Sequence, residues 1–168
     1  MNRQNLKKLV LAGLLIAVGV ACSPFSIPVG ASKCFPVQHM VNVLAAVMLG
    51  PWYGVGMAFV TSLLRVLLGT GSLLAFPGSM CGALLCGLIY HYRKNLTLTY
   101  LAEVFGTSIL GGMLAYPLAT LVMAKQAALF TYVLPFFVST AGGTLIAAAL
   151  IFALRKTHVM ERFLHERA

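Results

Sequence analysis

The sequence predicts an all-α membrane protein, six transmembrane helices in one bundle with both termini in the cytoplasm. Three observations point there. Sixty per cent of the 168 residues are hydrophobic and nine per cent are charged, with a mean hydropathy of +0.94. Soluble domains sit near half apolar and a quarter charged. Short polar breaks divide the apolar sequence into runs, leaving room for about five or six spans of roughly 20 residues each. Lys and Arg gather at every second break, as the positive-inside rule requires. The net charge of +9 therefore marks helix ends, not a nucleic-acid surface: the cations are not interleaved with aromatics on a solvated face.

The elements follow in order, as a single domain over residues 1–168. The first span runs from about Leu6 to Cys22 behind Arg3, Lys7 and Lys8, and Ser23-Pro24 stops it, because proline lacks the amide donor and disfavours a helical residue before it. The segment also mimics a signal peptide, with small residues at Ala21, Cys22 and Ser23. It reads better as a retained helix, because the rest of the chain stays membrane-embedded. The loop SPFSIPVGASKCFP carries three prolines, too many breakers for a span, and is long enough to fold over something. Gly50-Pro51 then splits the apolar stretch from Val37 to Leu68 into two short helices, 37–49 and 53–68, with Trp52 and Tyr53 suited to an interface.

Gly69-Thr70-Gly71-Ser72 ends the third span. Pro77 sits in the first turn of the fourth (76–91), where proline is tolerated. The fifth covers 98–123 and the sixth 131–154. Six spans put Arg3, Lys7, Lys8, Arg93, Lys94, Arg155, Lys156, Arg162 and Arg167 on one side and only Lys33, Arg65 and Lys125 on the other. Merging the second and third helices spoils that asymmetry.

Small residues at four-residue spacing (Gly13, Ala17, Ala21) let another helix approach the first span closely. That helix can belong to a partner or to the same bundle. Gly78 with Gly82, Gly111-Gly112 and Gly142-Gly143 mark crossings inside the bundle. Polar groups collect toward the outer third: Lys33, Gln38, His39, Asn42, Arg65, Thr70, Ser72, Ser79, Tyr116, Thr120, Ser139 and Thr140. His39 and Asn42, three apart, share a helix face; with Gln38 they can line a pocket or satisfy loop backbone. Arg65 can reach into such a pocket or snorkel to the headgroups. Glu103, the one acid within a span, falls about a turn from the cytoplasmic side, where pairing with Arg93 or Lys94, or contact with interfacial water, accounts for it. It is on the wrong side for an outward pocket. Cys81 and Cys86 read as small hydrophobes, and a Cys22–Cys34 disulfide is open. There is no phosphate loop, metal box, nucleophile elbow or pair of acids across spans. No cofactor, metal site or catalytic residue is expected; the chain reads as a binding unit that depends on partners.

SPFSIPVGASKCFPVQHMVNVLAAVMLGPWYG and LLGTGSLLAFPGSMCGALLCGLIY resemble the ThiW family, substrate-binding S-components of energy-coupling factor (ECF) transporters, and the likeness covers essentially the whole chain. The resemblance implies uptake of a thiamin precursor, hydroxyethylthiazole, across a prokaryotic plasma membrane. It also implies capture near the outer face under the loop joining the first two helices, and partnership with a T-component and two ATPase subunits. The small stripe Gly13, Ala17 and Ala21 would dock on the T-component. For the thiazole, a flat apolar slot with one or two hydrogen bonds is needed. Phe35, Phe76 and Tyr116 are the expected ring-stacking residues, and Gln38, His39, Asn42, Ser72, Ser79 and Ser139 the expected polar contacts. Lys33 and Arg65 leave open a ligand bearing a carboxylate or phosphate.

Overall fold

In the computed structural model, residues 3–30 and 32–157 are described; Arg162 and Arg167 lie outside them. Six helical rods account for about three quarters of the described chain. α1 is Arg3–Ala21, α2 Pro36–Met48, α3 Pro51–Leu67 and α4 Ala75–Arg93. α5 is Leu96–Val122 and α6 Val133–Lys156. Three of them, α1, α5 and α6, are long and apolar enough to cross a membrane. Large apolar side chains such as Leu9, Leu14, Leu114, Leu145 and Phe152 point outward. A soluble protein would bury such residues; a bilayer solvates them.

Proline and glycine set the boundaries. α2 and α3 each begin with proline at the first helical position, where its missing amide costs nothing. Only Leu49 and Gly50 separate α2 from α3, and Gly50 adopts φ +93°, a backbone that a side chain would strain. The turn is thus tighter than the Gly50–Gly54 break expected from the sequence, and Trp52 lies within α3, its side chain exposed.

Two features depart from six plain helices. The proline-rich segment after α1 folds into a hairpin, β1 (Ile27–Val29) antiparallel to β2 (Ser32–Cys34), with Pro28 opposite Lys33. Two contacts strap it to the start of α6: the Cys34 thiol donates to the Pro135 carbonyl (3.1 Å), and the Phe35 amide donates to Ser139 Oγ (2.7 Å). The second departure is in α5, which widens to π-helix over Gly106–Gly111 and again over Leu118–Val122. The second widening follows Pro117, which has no amide to donate.

α4 is the central rod. A Cβ on Gly111 of α5 would collide with Gly78 Cα, and one on Gly82 would collide with Thr107 and Glu103. Backbone therefore meets backbone at this crossing, as in lipid-embedded helix pairs. The bundle's two ends differ. Lys8, Trp52, Tyr53, His91 and Lys94 line one groove at the end where α1 begins. Lys33, Thr70, Ser72 and Lys125 line another beside the hairpin.

Candidate functional site

Beneath the hairpin lies a narrow, partly open cavity. β2, α2, α3, α4, α5 and α6 all contribute walls; α1 does not. The hairpin supplies Lys33 and Phe35, and α2 supplies Gln38 and His39 from its first turn. Arg65 enters from the last turn of α3 and Ser72 from the following loop. Ser79 comes from α4 and Ser139 from α6. The structure thus brings these eight residues, scattered over a hundred positions, around one space.

Three other expected residues are not on its walls. Asn42 sits one turn deeper than His39 and faces the rods behind the floor. It donates to the Ser79 carbonyl and to Glu103 Oε1, at 3.1 and 3.0 Å. Phe76 turns toward α3, its ring centroid 5.5 Å from that of Phe59. Tyr116 lies nine residues beyond Thr107 on α5, past the cavity's edge, where its carbonyl accepts from Thr120.

Glu103 is the largest correction. It pairs with neither Arg93 nor Lys94 and does not reach interfacial water: it is fully buried, with Oε1 3.0 Å from His39 Nδ1. Asn42 Nδ2 and Thr107 Oγ1 donate to the same oxygen, at 3.0 and 3.3 Å. The physical reason is the length of α2. Nine residues separate His39 from Met48, roughly 14 Å of helix, and seven separate Leu96 from Glu103, roughly 10 Å. Depths counted from the same end of the bundle therefore nearly coincide, because α2 is too short to hold His39 at the far surface. The π widening after Phe105 and the glycine crossing at Gly82 then let Thr107 join.

The network has a chemical consequence. With Nδ1 committed to Glu103, the His39 ring has only Nε2 left for anything in the cavity. Ser62 and Ser79 share a hydrogen bond of 3.0 Å beside it.

Arg65 does not snorkel. It is 1% exposed, its guanidinium lies 3.6 Å above the Phe35 ring centroid, and Nη1 donates to Gln38 Oε1 at 2.9 Å. The loop after α3 wraps its backbone: the amides of Thr70 and Gly71 both donate to the Arg65 carbonyl at 2.9 Å. Thr107 and Phe136 complete the cavity as residues not singled out in the sequence. Thr107 carried a usable signal, standing four residues from Glu103 and so on its face; Phe136, in a long apolar run, carried none.

Elsewhere, Gly13, Ala17 and Ala21 all lie on the exposed face of α1, and a Cβ at Gly13 would meet nothing. Packing among the described residues therefore does not explain this stripe. The helix leans on α3 through another residue, Gly19, beside Thr61. Cys22 and Cys34 are unbridged, and Cys34 is buried under the hairpin. Among the described residues no cluster of His, Cys, Asp and Glu could hold a metal.

A small helical bundle with a lipid-compatible exterior, and a cavity into which polar groups project among apolar walls, has the form of a membrane protein. The chain matches the family model described as thiamine-precursor transporter protein (ThiW) over residues 9–157. It belongs to that family, and with it to the transporters of thiamin precursors. Comparison with curated proteins and with solved structures returned no match.

Proposed function

We propose that this chain is the substrate-binding S-component of an ECF-type transporter and that it captures hydroxyethylthiazole. The carrying observation is the cavity under the hairpin: polar groups from six elements converge on it, and a strap anchored to α6 covers it. A few placed polar groups among apolar walls are the lining that small-molecule sites use to orient a ligand. Phe35 and Phe136 bound a slot for a flat ring, while Ser79, Ser139 and His39 Nε2 offer hydrogen bonds to a hydroxyl or ring nitrogen.

In this reading all six rods cross the plasma membrane of a prokaryote. Lys7, Lys8, Arg93, Lys94, Arg155 and Lys156 belong to the cytoplasmic end under the positive-inside rule, and the hairpin faces outward. The chain contributes no energy source of its own. A T-component and two ATPase subunits supply it, and the exposed stripe Gly13, Ala17 and Ala21 is the docking face.

Two measurements test this. Calorimetric titration of the purified protein with hydroxyethylthiazole should give one site of sub-micromolar affinity. Uptake of labelled thiazole by cells expressing the chain should require the T-component and ATPases. Uptake without them would make the chain a stand-alone facilitator, and absence of thiazole binding would remove the ligand assignment.

A further inference from the structure

Arg65 narrows the chemical class of the ligand, on the reading that the hairpin cavity is the binding site. Its guanidinium stacks on Phe35, which occupies the π face and leaves the in-plane N–H groups for acceptors. One of them, on Nη1, meets Gln38 Oε1. Arg65 Nε, Arg65 Nη2 and Gln38 Nε2 are buried with no partner, and both side chains line the cavity. A buried guanidinium without a counter-ion is strongly unfavourable. Glu103, the only acid among the described residues, is engaged by His39, Asn42 and Thr107, and no ion pair joins it to Arg65.

The approach carries the same sign. The groove beside the hairpin shares Lys33, Phe35 and Ser72 with the cavity and adds Lys125, with no acid along it. A neutral alcohol would accept from one donor and leave the guanidinium charge uncompensated. A carboxylate or phosphate would neutralise it and take both N–H groups of the fork.

We propose that the site prefers, over the neutral alcohol, a thiazole with an anionic arm, a phosphate monoester or a carboxylate, seated on Arg65 Nε and Nη2 and on Gln38 Nε2, with Lys33 and Lys125 drawing it in. The rest of the ligand then lies toward His39 and Ser79.

Three probes with one ring test this by calorimetry on the full-length protein: hydroxyethylthiazole, its phosphate monoester, and 4-methylthiazol-5-ylacetate. One of the two anions should bind at least about tenfold tighter than the alcohol, and which one identifies the arm. Arg65→Gln should erase the preference and Arg65→Lys keep part of it. If the alcohol binds as well as both anions, the proposal is overturned while the thiazole reading stands. A ligand-free measurement decides the case even if no probe binds and the thiazole reading fails. Gln38→Glu puts a carboxylate against Arg65 Nη1, and should raise the thermal midpoint of the empty protein by about 3 °C or more. An unchanged or lowered midpoint would mean the guanidinium already has its compensation, and would overturn the proposal.

Discussion

α1 and α4 are both nineteen-residue helices carrying small residues at four-residue spacing, and they use them in opposite ways. On α4, Gly78 and Gly82 are filled by Phe136, Thr107 and Glu103, with no room for a methyl group. On α1 the stripe faces away from every other described residue of the chain. The spacing specifies a face that something can approach closely; it does not say what approaches. On α4 the answer is the cavity floor, because only a glycine crossing brings Glu103 within hydrogen-bonding distance of His39 and Asn42. On α1 no described residue of the chain supplies the answer, and under the proposed function it is the T-component.

The sharpest way to break this contrast is to add the same side chain to both. Gly82→Val should cost about 3 kcal/mol or more through overpacking against Thr107 and Glu103. It should also abolish ligand binding. Gly13→Val should stay within about 0.5 kcal/mol, and thermal unfolding of the two purified variants checks both. Equal effects would mean that α1 is packed like α4.

Next in size is Glu103→Ala. It strips the acceptor from three buried donors at once, so a loss of about 3 kcal/mol is expected, with Glu103→Gln retaining much of it because the amide oxygen still accepts. Ala17→Trp should leave thermal stability and thiazole binding nearly unchanged while abolishing uptake in cells that express the whole transporter. Normal uptake would remove the docking role from α1.

The smallest effect concerns the strap. Burial pushes the Cys34 thiol above its ordinary pKa, so it is a neutral thiol at pH 7 and a poor nucleophile. Maleimide should label Cys22 well before Cys34 in the folded protein, with the difference vanishing in denaturant. Since the folded-state value is the raised one, the strap's contribution is intact at neutral pH and weakens as the pH climbs past the ordinary thiol value.

Much of the fold was legible because its punctuation is chemical. Proline at positions 36 and 51, glycine at 50 and 69, and cations at 93 and 94 bound helices whose ends differ from the expected ones by three residues or fewer. The hairpin was not, since strands of three residues with a proline in one show no alternation to read. The widenings of α5 were equally hidden: Gly106 and Pro117 permit them, but the fit against α4 decides them.

At the site, the polar residues of the first turn of α2 and the end of α3 could be gathered by depth alone. Glu103 could not. The thirteen-residue length of α2 was itself legible, but depth along α5 alone does not bring the two rods together, and the mismatch between them is what carries His39 down to the acid. Phe76 and Tyr116 failed for a related reason, as ring chemistry says nothing about which side of a helix faces the cavity.

The account stands or falls on where the ligand sits. Ser79→Phe fills the cavity from its α4 wall and leaves α1 and both grooves untouched. Calorimetric titration with hydroxyethylthiazole should give one tight site for the parent protein and none for Ser79→Phe, provided that the variant still unfolds cooperatively. Undiminished binding by a folded Ser79→Phe protein would contradict the placement of the site beneath the hairpin.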